Sequence, residues 1–131
     1  MSHEIVGGTY TDSRGALRFC NDFDMSPVKR FYTISNSVEQ PVRGWIGHKR
    51  ETKWFFPLKG TTTVTVEPMA GETLAAEVAR ESFVLNSDRP SVLKVKPGNW
   101  FCIEQHDGAE VMVFSDCRVG EFENDDFRRP L

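Results

Sequence analysis

The sequence predicts an all-β, antiparallel fold, and three observations predict it. About nine short alternating or apolar runs recur at roughly eight-to-twelve-residue spacing, the rhythm of a sandwich or barrel. Turn signals separate them, among them Asp12-Ser13-Arg14-Gly15, Pro97-Gly98-Asn99 and Asp107-Gly108. Only residues 72–80 carry a run of good helix formers, and they read as a short helix, centred on 73–79, or as an irregular strand. No repeat, linker or low-complexity tract interrupts the 131 residues, so one domain over 1–131 is expected.

Taken in order, residues 7–23 hold two short strands joined by the Asp12–Gly15 turn, and Ser26-Pro27 starts a turn or short helix. Residues 28–35 alternate as a strand, Lys29, Phe31 and Thr33 against Arg30, Tyr32 and Ile34. Residues 42–60 form the organising stretch: a polar run to Lys53, then the dense apolar run Trp54 to Leu58, closed by Gly60. Residues 61–67 are β-branched almost throughout, with Val64 and Val66 on the buried face. Further strands are expected at 81–85, 91–96, 100–104 and 110–114, and residues 124–128 read as a final capping segment.

Composition excludes several functions. A net charge of −3 gives no basic footprint for nucleic acid. No apolar run approaches the ~18 residues of a membrane span, and no basic-then-apolar leader opens the chain. Cys20, Cys102 and Cys117 are widely spaced and odd in number, which points to reduced thiols in a cytoplasmic protein. Ten Phe and three Trp predict an aromatic core or an aromatic-lined cavity.

His48 is the leading chemical candidate, because its imidazole can act as a base near neutral pH and small residues flank it on the strand. Strand parity places Gly44, Ile46 and His48 on one face and Arg43, Trp45, Gly47 and Lys49 on the other. Arg43, Lys49 and Lys53 share a parity and could form a basic stripe for a phosphorylated ligand; a solvated strand face explains them equally well. Tyr32 is a candidate proton donor or a packed core aromatic. A metal site is not expected: Ile46 stands where a His-x-His pair needs its partner, His106 falls in a loop and His3 at the frayed N-terminus.

The pattern Asp12-x-Arg14-Gly15-x-Leu17, Val28-Lys29-Arg30-Phe31-Tyr32 and Arg43-Gly44-x-x-x-His48-Lys49 resembles the small RmlC-like cupins that isomerise or epimerise nucleotide-linked keto-sugars. It is most similar to the WxcM-like sugar 3,4-ketoisomerases, which act on dTDP-4-keto-6-deoxyglucose, and more distantly to the dTDP-4-dehydrorhamnose 3,5-epimerases. The resemblance extends to Lys59-Gly60, Pro97-Gly98-x-Trp100 and Phe114-Ser115-Asp116. It implies a jelly-roll barrel, a homodimer with exchanged N-terminal strands, a dTDP-sugar ligand and no cofactor or metal. The family pattern Arg-Gly-x-His-x-His-Lys sets Ile46 at the first histidine and His48 at the second. His48 and Tyr32 are then the expected proton-transfer residues, with Arg43, Lys49 and Lys53 toward the substrate's charge. The competing expectation is a cupin that binds a nucleotide-sugar or other carbohydrate without turning it over.

Overall fold

Alternating side chains settle into twelve strands among the residues that the computed structural model describes, 2–69 and 79–131. They are β1 (Ser2–Val6), β2 (Gly8–Asp12), β3 (Gly15–Phe19), β4 (Arg30–Ile34), β5 (Val42–His48) and β6 (Lys53–Lys59), followed by β7 (Thr61–Pro68), β8 (Glu81–Asn86), β9 (Ser91–Val95), β10 (Asn99–Gln105), β11 (Glu110–Ser115) and β12 (Phe127–Arg128). Two five-stranded antiparallel sheets result, ordered β1-β9-β6-β11-β4 and β12-β5-β10-β7-β8, with the β2–β3 hairpin as a sheet of its own. The sheets stay separate in their hydrogen bonding, so the jelly roll is a sandwich rather than a closed barrel. No helix long and apolar enough to cross a membrane occurs among the described residues. The stretch expected as a short helix, 73–79, lies outside the described residues but for Ala79.

The core forms where the alternation points inward from both sheets. Val64 and Val66 of β7, Phe101 and Ile103 of β10, and Phe55, Leu93, Val111 and Val113 of the facing sheet are all buried in one cluster. The Phe55 and Phe101 rings meet edge-on with centroids 5.4 Å apart, which ties the sheets across the middle. The tryptophans do not enter this core. Trp54 lies in a second cluster with Val92 and Phe114, against which Cys20, Phe23 and Val28 pack from the segment between β3 and β4. Two strands escaped the sequence reading: β1, which carries His3 into register with Lys94, and the two-residue β12, which pairs with β5.

Phe55 is completely buried. Phe55→Ala is expected to cost about 3–5 kcal/mol of stability through lost burial and an unfilled cavity, read from denaturant unfolding of the two proteins.

Candidate active site

A cavity of about 400 Å³ opens between the two sheets, its walls drawn from β4, β5, β6, β10 and the C-terminal segment. Ile34, Ile46, Phe101 and Ile103 make its apolar side. Arg30, Arg43, Lys53, Arg118 and Arg128 face it against only two carboxylates, Glu51 and Asp126, so the cavity is predominantly cationic. An anionic ligand is the natural occupant.

Parity alone puts Arg43 on the face opposite His48, and the structure corrects this. Between Phe101 and Cys102 the β5–β10 register shifts: Phe101 pairs with Ile46, but Cys102 pairs with Gly44. Trp45 is the extra residue of a bulge. Beyond it Arg43 pairs with the buried Ile103, so it returns to the cavity side with Ile46 and His48. Trp45 turns outward, under the guanidinium groups of Arg129 and Arg80. The glycines expected to leave room beside the imidazole serve packing instead. A Cβ on Gly44 would lie 2.8 Å from the Cys102 backbone, and one on Gly47 would lie 2.7 Å from the Trp100 ring.

His48 is 7% exposed. Its Nδ1 lies 2.6 Å from the backbone oxygen of Asp125. A carbonyl can only accept, so Nδ1 carries the hydrogen and the neutral ring's lone pair is on Nε2. Nε2 is buried and has no hydrogen-bond partner among the described residues. The ring is therefore oriented and its basic nitrogen is left free. Glu51 Oε1 lies 3.6 Å from Nδ1.

Tyr32 lines the same cavity and is joined to His48 through two intervening groups. Lys53 donates to the Tyr32 hydroxyl at 2.9 Å and pairs with Glu51 at 2.9 Å. Glu51 also accepts from Ser115 Oγ and, at 3.3 Å, from Arg30. Burial pushes the Glu51 carboxyl up, but Ser115, Lys53 and His48 together hold it below the ordinary range, so it is ionised. Arg43 reaches Asn36 Oδ1 at 3.3 Å. Lys49 is not a wall of the cavity: it is exposed, with its ammonium over the Phe127 ring.

Sequence reasoning missed Glu51 and Asp125. The Asp125 carboxylate accepts from the backbone amides of Lys49, Arg50 and Glu51 at 2.7–3.2 Å. Nothing local advertises a contact made 74 residues away in the chain. His48, Glu51 and Asp125 also bring one ligand atom each within 4.8 Å of one another. Their chemistry does not suit a cation, because Nδ1 is a donor, Asp125 is spent on amides, and Lys53 and Arg30 already neutralise Glu51.

Asp125 is 4% exposed. Burial pushes its carboxyl up, but the three amides outweigh that and hold it below the ordinary value. A lowered folded value means stability that is present above the unfolded value of ~3.9 and lost as pH falls through the folded one. Asp125→Asn is expected to cost about 1.5–3 kcal/mol at pH 7, with the gap to wild type closing below about pH 4. Thermal unfolding of both proteins across that range checks it.

Comparisons with known proteins identify the family and the fold. The family described as WxcM-like, C-terminal matches residues 3–130. A search of curated proteins found no match. Among solved structures, a 3,4-ketoisomerase from Helicobacter canadensis superposes with a TM-score of 0.74 at 19% identity, covering 98% of this chain and 90% of that one. A point variant of the 3,4-ketoisomerase QdtA from Thermoanaerobacterium thermosaccharolyticum, in complex with TDP-4-keto-6-deoxyglucose, gives 0.73 at 19%, covering 98% and 87%. The RmlC epimerase of Mycobacterium tuberculosis gives 0.75 at 15%, covering 97% and 68%. These likenesses establish the RmlC-like jelly roll, and the match across residues 3–130 shows that the chain belongs to the WxcM-like, C-terminal family.

Proposed function

We propose that the protein is a nucleotide-sugar isomerase that interconverts the 4-keto and 3-keto forms of a dTDP-linked 6-deoxyhexose. One observation carries this reading: a buried imidazole in a cationic cavity, with Nδ1–H fixed and Nε2 free. Such a ring is suited to take a proton from a carbon next to a ketone. Similar structures named as ketoisomerases, one of them in complex with TDP-4-keto-6-deoxyglucose, support the choice of substrate.

The hydrogen balance is simple. His48 Nε2 takes the proton on C3, and the electrons move to the C4 oxygen as an enediolate. That oxygen gains a proton, the C3 hydroxyl loses one, and His48 returns its proton to C4. The net change is a ketone at C3 and a hydroxyl at C4, with no redox partner. Arg43 faces the cavity as a ligand for the diphosphate.

A homodimer with exchanged N-terminal strands belongs to the same reading. Among the described residues the β2–β3 hairpin pairs with no other sheet, and it exposes Tyr10 and Leu17. In the single chain β1 pairs with its own β9, the register a partner's β1 would take on exchange. We place the enzyme in the cytoplasm, where nucleotide sugars are made and where Cys20, Cys102 and Cys117 stay reduced.

The second reading is a binding protein without turnover, favoured by Ile46, which puts an aliphatic side chain on the cavity wall at the family's first histidine position. Incubation with dTDP-4-keto-6-deoxyglucose in heavy water separates the two. The isomerase is expected to place deuterium at C3 and C4, read by NMR. Binding with neither deuterium gained nor 3-keto product formed would select the second reading. His48→Asn is expected to lower turnover ~10²–10⁴-fold while the dTDP dissociation constant stays close to wild type.

A further inference from the structure

Lys53 shares a strand parity with Arg43, which groups the two as ligands for phosphate. The geometry points to another role: we infer that Lys53, held by Glu51, positions Tyr32 as the second proton-transfer group of the cavity. This rests on reading the cavity as a keto-sugar site.

Lys53 is 4% exposed, far from the freely swinging ammonium that usually meets a phosphate. Two contacts at 2.9 Å engage it, Glu51 Oε2 and the Tyr32 hydroxyl oxygen. The Glu51 pairing neutralises its charge, so little attraction is left for a diphosphate. An ammonium only donates. The Tyr32 oxygen is therefore the acceptor, and the phenol's own hydrogen remains available to a group in the cavity that Tyr32 lines. Glu51 is itself fixed by Ser115 and Arg30, so Lys53 has one place to stand.

In the reaction, His48 moves the carbon-bound hydrogen and Tyr32 moves the oxygen-bound one. The phenol gives its proton to the C4 oxygen as His48 removes the C3 proton. The phenolate so formed takes the proton of the C3 hydroxyl, and His48 delivers its proton to C4. One hydrogen passes from C3 to C4 and one from the C3 oxygen to the C4 oxygen, and both side chains end as they began. The Lys53 ammonium faces the phenolate while it exists. Lys53 is thus a positioning residue acting through Tyr32.

The test uses Lys53→Met, Tyr32→Phe and the double variant, with melting temperatures measured alongside. Isomerisation of dTDP-4-keto-6-deoxyglucose is expected to fall on the order of 10²-fold in each single variant and no further in the double. Losses that add in full overturn the proposal. Calorimetry with dTDP is expected to give Lys53→Met a dissociation constant within about threefold of wild type, and a loss of about tenfold or more would make Lys53 a phosphate ligand after all. A third measurement needs no turnover. The chain has two tyrosines, so ¹³C-tyrosine labelling gives two Cζ resonances, and Tyr10→Phe assigns them. Lys53→Met is expected to move the Tyr32 resonance, and a resonance left in place overturns the coupling. Should Lys53→Met not fold, Glu51→Gln, which releases Lys53 from its anchor, is expected to move the same resonance, and a resonance unmoved there overturns the coupling equally. A wild type that neither exchanges nor isomerises overturns the keto-sugar reading instead.

Discussion

The cavity depends on one carboxylate that never faces it as a catalyst. The chain must cross from one sheet to the other between β5 and β6, and the amides at that corner have no ladder to join. Asp125 supplies the missing acceptors for residues 49–51, and Asp116 accepts from Thr52 at 2.9 Å. The same Asp125 gives its backbone carbonyl to His48. The corner carries His48 at one end, Lys53 at the other and Glu51 between them. One capping residue thus fixes the His48 imidazole, the buried carboxylate and the buried ammonium together, before any ligand arrives.

That cap arrives from the C-terminal segment, which is itself held from outside the sandwich. Phe127 and Arg128 pair with Gly47 and Ile46, and Arg129 exchanges two backbone hydrogen bonds of 3.2 Å with Trp45. The Arg129 guanidinium lies 4.6 Å from the Trp45 ring centroid and 5.0 Å from that of Trp100. It also pairs with Glu67, which Arg80 joins at 2.8 Å. Burial pushes the Glu67 carboxyl up and the two arginines more than reverse it. Each outward residue of the β5 bulge therefore has a task. Trp45 turns out to receive Arg129, and Gly47 stays bare so that Trp100 can lie across the strand.

The sheet class was legible because it rests on alternation, which a sequence displays directly. Val64 and Val66 against Thr63 and Thr65 need no tertiary information to be read as a half-buried strand. His48, Tyr32, Arg43 and Lys53 were also visible, as chemistry-bearing residues within strands that the structure brings to one cavity. What could not be read was anything set by a non-local contact. The bulge at Trp45 reverses the face of Arg43, and it exists because β10 pairs there out of step. Asp125 looks like one more acid of a polar tail until the tail is folded against the β5–β6 corner. Lys49 shows the same limit from the other side: parity grouped it with Arg43 and Lys53, but the strand ends at His48 and Lys49 turns away to Phe127.

Ile46 has a consequence for how the proposed chemistry is divided. A ketone shift between neighbouring carbons moves two hydrogens, and one imidazole at C3 and C4 accounts for only the carbon-bound one. The other needs a group able to give and take a proton near the two oxygens. On β5 no such group stands beside His48, since Ile46 is aliphatic and a guanidinium does not deprotonate. In the proposed reaction the relay comes from the opposite sheet, where Tyr32 of β4 and Lys53 of β6 stand 2.9 Å apart. The sugar ring would lie between the sheets, its carbon-bound hydrogen toward one and its oxygens toward the other. Ile46 adds to this rather than merely subtracting a histidine. With Phe101 and Ile103 of the same sheet it lines the cavity with apolar side chains, and charges on the facing side are less screened there than in water. On the proposed reading, a chain with a single histidine on β5 splits the two proton transfers between its two sheets.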